Sequence, residues 1–101
     1  MKNRTLSELQ ASYRRAIILR FLSEDFDHSI DTELLRAALR TVSYGVPRAQ
    51  VHEDAAWLER HGLVSREDVG GALIMKITRR GLDVVTGDEV VEGVERSCLE
   101  A

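Results

Sequence analysis

Pro47-Arg48-Ala49-Gln50-Val51-His52-Glu53-Asp54-Ala55-Ala56-Trp57-Leu58-Glu59-Arg60-His61-Gly62-Leu63-Val64 is the stretch on which the fold turns. Val51, Ala55 and Leu58 recur at helical spacing and form one apolar face. Pro47 suits the first position of a helix, where no amide hydrogen is needed. Gly62 can cap the C-terminal end. The spacing predicts a helix over 47–61 and a change of period beyond it. Leu63 to Glu67 reads as a short strand, and Asp68-Val69-Gly70-Gly71 has hairpin-turn chemistry. Ala72 to Thr78, with Leu73, Ile74, Met75 and Ile77, reads as the returning strand.

Toward the N-terminus, a preceding helix starts near Ser29 or Asp31, either of which can cap it. It runs through Leu34, Leu35, Ala38 and Leu39. Thr41 to Val46 breaks that pattern, with Gly45 free to take positive φ. Earlier still, Thr5-Leu6-Ser7-Glu8 reads as a capping box. Leu6, Leu9, Tyr13, Ile17 and Phe21 then lie on one helical face, and Ile18, Leu19 and Leu22 widen the stripe. Such width fits a central helix of a small core. It equally fits a helix that also meets a second subunit, with Leu9, Tyr13, Ile18 and Leu22 as the candidate dimer contacts. Toward the C-terminus, Thr78 to Val85 reads as a short helix capped by Thr78 and stopped by Gly87. The expected fold is mainly α with a two-stranded β wing (α+β). It has a three-helix core, a hairpin and a short C-terminal helix over residues 1–87, then an acidic tail over 88–101.

One hundred and one residues make one small domain, and 44% apolar content is enough for one modest core. The longest uncharged apolar run, Ala16 to Leu19, is far too short to span a bilayer. The basic start Met1-Lys2-Asn3-Arg4 is not followed by the apolar stretch of a signal peptide. A cytoplasmic protein without membrane contact is therefore expected. Cys98 is the single cysteine, so no internal disulfide can form. His28, His52 and His61 do not share metal-ligand spacing. No metal or cofactor is expected, and Cys98 reads as a bystander thiol. Nucleophile-elbow and phosphate-loop patterns are missing, and neighbouring carboxylates such as Glu53 and Asp54 lack the pocket that acid–base chemistry needs. Catalysis is not expected.

The net charge of −3 is unevenly spread. Residues 1–80 carry 13 Lys/Arg against 11 Asp/Glu, a net of +2, whereas residues 81–101 carry one against six, a net of −5. Phosphate binding depends on local positive surface, and the body of the chain keeps a weakly basic one.

The segment Val51 to Val64, with Leu58-Glu59 leading into Gly62-Leu63-Val64, resembles the recognition-helix-to-wing signature of ArsR-, MarR- and PadR-like regulators. Ile77-Thr78-Arg79-Arg80-Gly81 resembles the Leu-Thr-x-x-Gly that closes their wing. Trp57-Leu58-Glu59, Ile77 to Val84 and Val90-Val91-Glu92-Gly93-Val94 are further similar to small winged-helix proteins of Mu-like phages and prophages, described as DNA-binding or ArsR-like. The resemblance implies a winged helix-turn-helix that binds double-stranded DNA. Metal-sensing members carry paired cysteines or clustered His and Asp, and this chain does not.

Reading a major groove requires a helix whose N-terminal half presents donors and acceptors to base edges. With Val51, Ala55 and Leu58 inward, Arg48, Gln50, His52 and Glu53 become the candidate readers. Arg36 and Arg40 on the second helix, with Arg66, Lys76, Arg79 and Arg80 around the wing, are candidate phosphate contacts. Asp54 can instead pair with a basic residue of the body, and a lone Trp57 beside core positions reads as packing. Two functions follow. One is a homodimeric, phage-type transcriptional regulator on duplex DNA. The other is a non-catalytic interaction module that docks on a phage protein partner, for instance in packaging or assembly. The acidic tail can compete with DNA, contact a partner or keep the chain in solution.

Overall fold

The computed structural model describes residues 4–99, so the outer ends of the expected 1–87 and 88–101 segments lie outside the described residues. The chain runs α1 (Leu6–Glu24), β1 (Ser29–Asp31), α2 (Thr32–Thr41), α3 (Arg48–Arg60), β2 (Val64–Val69), β3 (Ala72–Ile77), α4 (Arg79–Thr86) and a 3-10 turn (Arg96–Cys98). Four helices thus surround a three-stranded antiparallel sheet of order β1-β3-β2.

Local chemistry explains most boundaries. The Thr5 hydroxyl accepts from the Glu8 amide while Glu8 reaches back to the Thr5 amide, the reciprocal capping box. Asp31 caps α2 through the Leu34 amide at 2.9 Å. Thr78 caps α4 through Gly81, and Gly87 ends it in the left-handed region. Pro47 is the N-cap of α3, one position earlier than expected, and the helix proper starts at Arg48. α2 and α3 end alike. Tyr44 N donates to Leu39 O and Ser43 N to Arg40 O, as Leu63 N donates to Leu58 O and Gly62 N to Glu59 O. Each is a Schellman turn whose residue after the cap is left-handed. Gly62 fills that place in α3, and Ser43, at φ 67°, fills it in α2. Gly45, expected to take positive φ, does not. Its small size instead admits the Arg40 side chain, whose Cγ lies 2.6 Å from where a Cβ would stand.

The sheet differs from the expected pair of strands. β2 and β3 form the hairpin, with Val69 opposite Ala72 and the turn at Gly70-Gly71, both at positive φ. β1 adds a third strand, pairing Ser29 with Lys76 and Asp31 with Ile74. Three residues are too few to show alternation, and the partner strand lies far along the chain. Only the tertiary fold therefore reveals it.

The core contains Ala16, Ile18, Leu19 and Leu22 of α1, Leu35 and Leu39 of α2, and Val51, Ala55 and Leu58 of α3. Leu63, Val64, Met75 and Ile77 join it from the hairpin and its approach, and Val84 from α4. Each fully buried Leu or Ile contributes on the order of 1.5–3 kcal/mol. Ile18 and Leu22 are fully buried inside one chain, so they have no surface to offer a second subunit. The wide stripe of α1 exists because α1 is the central helix: it touches α2, α3, β3, α4 and the 3-10 turn.

Residues 88–99 do not trail into solvent. Val91 and Val94 are buried with the core, the Glu95 amide donates to Ser12 O at 3.1 Å, and Arg20 donates to Cys98 O at 3.2 Å. No helix among the described residues is long and apolar enough to cross a membrane.

Candidate functional site

The surface of α3 is divided by what flanks it. On one side, Arg48 and His52 share a cleft of about 270 Å³ with Asp31, Thr32 and Glu33 at the start of α2 and with Gly71–Leu73 at the hairpin tip. On the other, Gln50, Glu53, Asp54, Ala56, Trp57 and Arg60 line a second cleft of about 250 Å³ with Arg15. Ala49, Glu53, Ala56 and Arg60 follow one another along α3 at helical spacing, the last three on the rim of the second cleft.

Few of the expected contact residues stand free. Arg48 is exposed but forks onto Glu33, its Nε 2.9 Å from Oε2 and its Nη2 donating to Oε1 at 3.2 Å. Arg36 donates to the same Oε1 at 3.2 Å. The Arg48 hydrogen bond holds the Glu33 carboxyl below its ordinary range. Gln50, expected to face outward, instead donates to Asp54 Oδ1 at 3.2 Å. Asp54 is 2% exposed and receives two hydrogen bonds from Arg14 of α1. Gln50 turns inward because that buried carboxylate has oxygen lone pairs left to satisfy.

Around the wing, Arg66 is bound to Glu59 by Nε at 3.0 Å and Nη2 at 2.8 Å, with its amide on Oε2 at 3.1 Å. Those contacts hold the Glu59 carboxyl below its usual value. Arg80 donates to Glu89 at 2.7 Å and to the His61 carbonyl, while Thr78 donates to the Gly62 carbonyl at 2.7 Å. Both thereby satisfy the carbonyl end of α3. Arg79 lies 3.6 Å from Asp83 and is almost fully exposed. Arg40, Lys76 and Arg60 are exposed cations. His52 is half-buried and Glu53 exposed.

The last turn of α3 carries a second constellation. The Arg15 guanidinium lies 4.0 Å from the Trp57 ring centre, and His61 stacks on Trp57 at 3.7 Å. Arg15 also donates to Gly93 O at 3.1 Å. Burial lowers the Arg15 pKa from its ordinary value, with Asp54 opposing that shift. The stack borders a cavity of about 630 Å³, with Arg4, Glu8, Ser12 and Glu92 on its other walls. Glu33, Arg15 and Arg60 were missing from the expected site, and only Arg60 carried a local signal, as an exposed cation on α3. Among the described residues, no group of three His, Cys, Asp or Glu side chains is placed to hold a metal ion.

A relative matches nearly the whole chain. The uncharacterized protein gp26 of Escherichia phage Mu is 31% identical over 91 residues, covering 90% of this chain and 94% of the phage protein. This chain belongs to the gp26 family. No family model matches it, and no solved structure does. The Mu gp26 protein is itself uncharacterized, so the role of a gp26-family domain is argued from its surfaces.

Proposed function

We propose that this chain is a winged helix-turn-helix protein that binds double-stranded DNA as a homodimer and acts as a phage-type transcriptional regulator. One observation carries the reading. The N-terminal half of α3, entered from α2 through a tight turn, is bordered by the tip of the β2–β3 hairpin, so Arg48, His52 and the hairpin line one cleft. A helix flanked by a hairpin can enter the major groove while the hairpin follows the backbone. Arg40, Lys76, Arg79 and Arg60 supply exposed positive charge. The dimer reading rests on α1. Leu6 and Leu9 are 69% and 39% exposed, and Tyr13, Ile17, Phe21, Val42 and Tyr44 line an apolar groove further along. An antiparallel second copy would seat Leu6 and Leu9 of each chain against the groove of the other. Two half-sites would multiply a weak single contact.

Fluorescence anisotropy with a labelled random duplex and with fragments of neighbouring genomic DNA, at low and moderate salt, tests this reading. Salt-sensitive binding that is tighter for one fragment and about tenfold weaker on Arg48→Ala supports it; no binding at micromolar protein and low salt sinks it.

A second reading has its own observation. Phe26 is 98% exposed on a loop that Asp25 braces, accepting from the Asp27 amide at 2.9 Å and the Ser29 amide at 3.2 Å. An exposed aromatic side chain on a hydrogen-bonded loop is the kind of anchor a protein partner buries. Most of the candidate arginines already hold carboxylates, as an interaction module would allow. Partner binding through Phe26 would be insensitive to salt and lost on Phe26→Ala.

A further inference from the structure

Glu33 has no capping duty. Asp31 already caps α2, accepting from the Leu34 amide, and Glu33 turns its carboxylate to Arg36, one turn along α2, and to Arg48 on α3. Both Glu33 oxygens are engaged, Oε2 by Arg48 Nε and Oε1 by one nitrogen of each arginine. A carboxylate held in a guanidinium fork has the geometry with which arginine takes a phosphate. Three further facts mark the arrangement as replaceable. Glu33 is half exposed, with Arg48 64% exposed beside it, and exposed ion pairs are weak. Arg36 uses only its outer edge, because its Nε is shut from solvent without a partner. Arg48 belongs to the helix end on which the DNA reading rests, beside the hairpin tip.

We propose that Glu33 is an internal stand-in for a nucleic-acid phosphate: its carboxylate closes the Arg36–Arg48 pair in the free protein, and a duplex backbone phosphate binds there by displacing it. The ligand identity rests on the DNA-binding reading; the phosphate site itself does not. Arg48 is then a phosphate contact rather than a base reader. Glu33 sets the affinity ceiling, because a phosphate must first expel a like-charged group. A weak free-protein affinity for arbitrary DNA follows, and only a site that adds contacts elsewhere overcomes it.

The test compares the wild type with Glu33→Gln, Arg48→Ala and the double variant, with Glu92→Gln, an exposed carboxylate on neither α3 nor the hairpin, as a control for charge alone. With a labelled random duplex between about 50 and 200 mM salt, Glu33→Gln should bind roughly tenfold tighter and steepen the salt slope by about one unit. That gain should vanish in the double variant and be absent from Glu92→Gln. Equal affinity of Glu33→Gln and wild type, or a gain that survives loss of Arg48, overturns the proposal while leaving DNA binding intact. The second arm follows the Arg36 and Arg48 Nε–Hε NMR signals during titration with inorganic phosphate. Both should move in Glu33→Gln at millimolar phosphate and stay in place in the wild type. Unmoved signals in Glu33→Gln overturn the site. Moved signals in a protein that binds no duplex uphold the site, refute the DNA reading and assign a free phosphate group as the ligand.

Discussion

Arg14 on α1 and Asp54 on α3 form an ion pair almost closed to solvent, with side chains 8% and 2% exposed. Gln50 donates a further hydrogen bond to the same carboxylate. Removing one partner strands the other charge in the interior. Asp54→Ala is therefore expected to lower the unfolding free energy by about 3–5 kcal/mol in urea titration. Replacing both residues by well-packed apolar ones should recover most of that. A loss below about 1 kcal/mol for Asp54→Ala would show that water reaches Arg14.

Gln50 is half-buried and donates to the Asp54 of that network. Gln50→Ala should leave duplex affinity within about twofold, whereas Arg48→Ala weakens it about tenfold. Anisotropy on both variants decides this. Loss of affinity in Gln50→Ala at unchanged stability would return Gln50 to the reading surface.

Ser43 holds the left-handed position that Gly62 holds at the end of α3. A side chain there costs roughly 1 kcal/mol that glycine avoids. Ser43→Gly should accordingly raise the thermal midpoint by several degrees for a domain of this size. An unchanged or lower midpoint would mean that the serine side chain compensates.

Gly93 lies at φ 98° against Trp57, and a Cβ there would stand 2.6 Å from Trp57 Cζ2. Gly93→Ala is expected to cost about 1–3 kcal/mol and to loosen residues 88–99. Emission from Trp57, the single tryptophan, should shift to the red in the folded variant. Unaltered emission and stability would show that the segment can shift without leaving the ring.

Burial pushes the Cys98 thiol above its ordinary pKa, Glu95 adds to the shift, and Arg20 opposes it. The thiolate is the reactive form. Alkylation of the folded protein should therefore reach half its limiting rate at a higher pH than alkylation of the urea-unfolded chain. Because the folded pKa is the raised one, the thiol's contribution to stability is complete below the unfolded value and fades as pH rises through the folded value. Coincident pH–rate curves would contradict this.

Features written in neighbouring residues were legible in the sequence. The caps at Thr5, Asp31 and Thr78, the glycine end of α3 and the Gly70-Gly71 turn each depend on side chains within a few positions. The helical face of Val51, Ala55 and Leu58 does too. Features that depend on distant partners were not. β1 exists because β3 offers it hydrogen bonds. Gln50 faces inward because Arg14, 40 positions before Asp54, draws that carboxylate into the core. Arg48 meets Glu33 across 15 positions and a turn. Val91 and Val94 sit among Glu and Gly with no clean period, so only Trp57 and the outer face of α1 show that they are buried.

The Arg15–Gly93 contact joins residues 78 positions apart, and Arg20–Cys98 spans the same distance. α1 is thus made well before the segment that covers one side of it. Until residues 91–98 emerge, one side of α1 stays wet and Trp57 lacks its neighbour. Non-local closures of this kind slow folding. In a nascent chain they leave α1 as an open apolar surface for chaperones, and this domain closes only once residues 91–98 have been made.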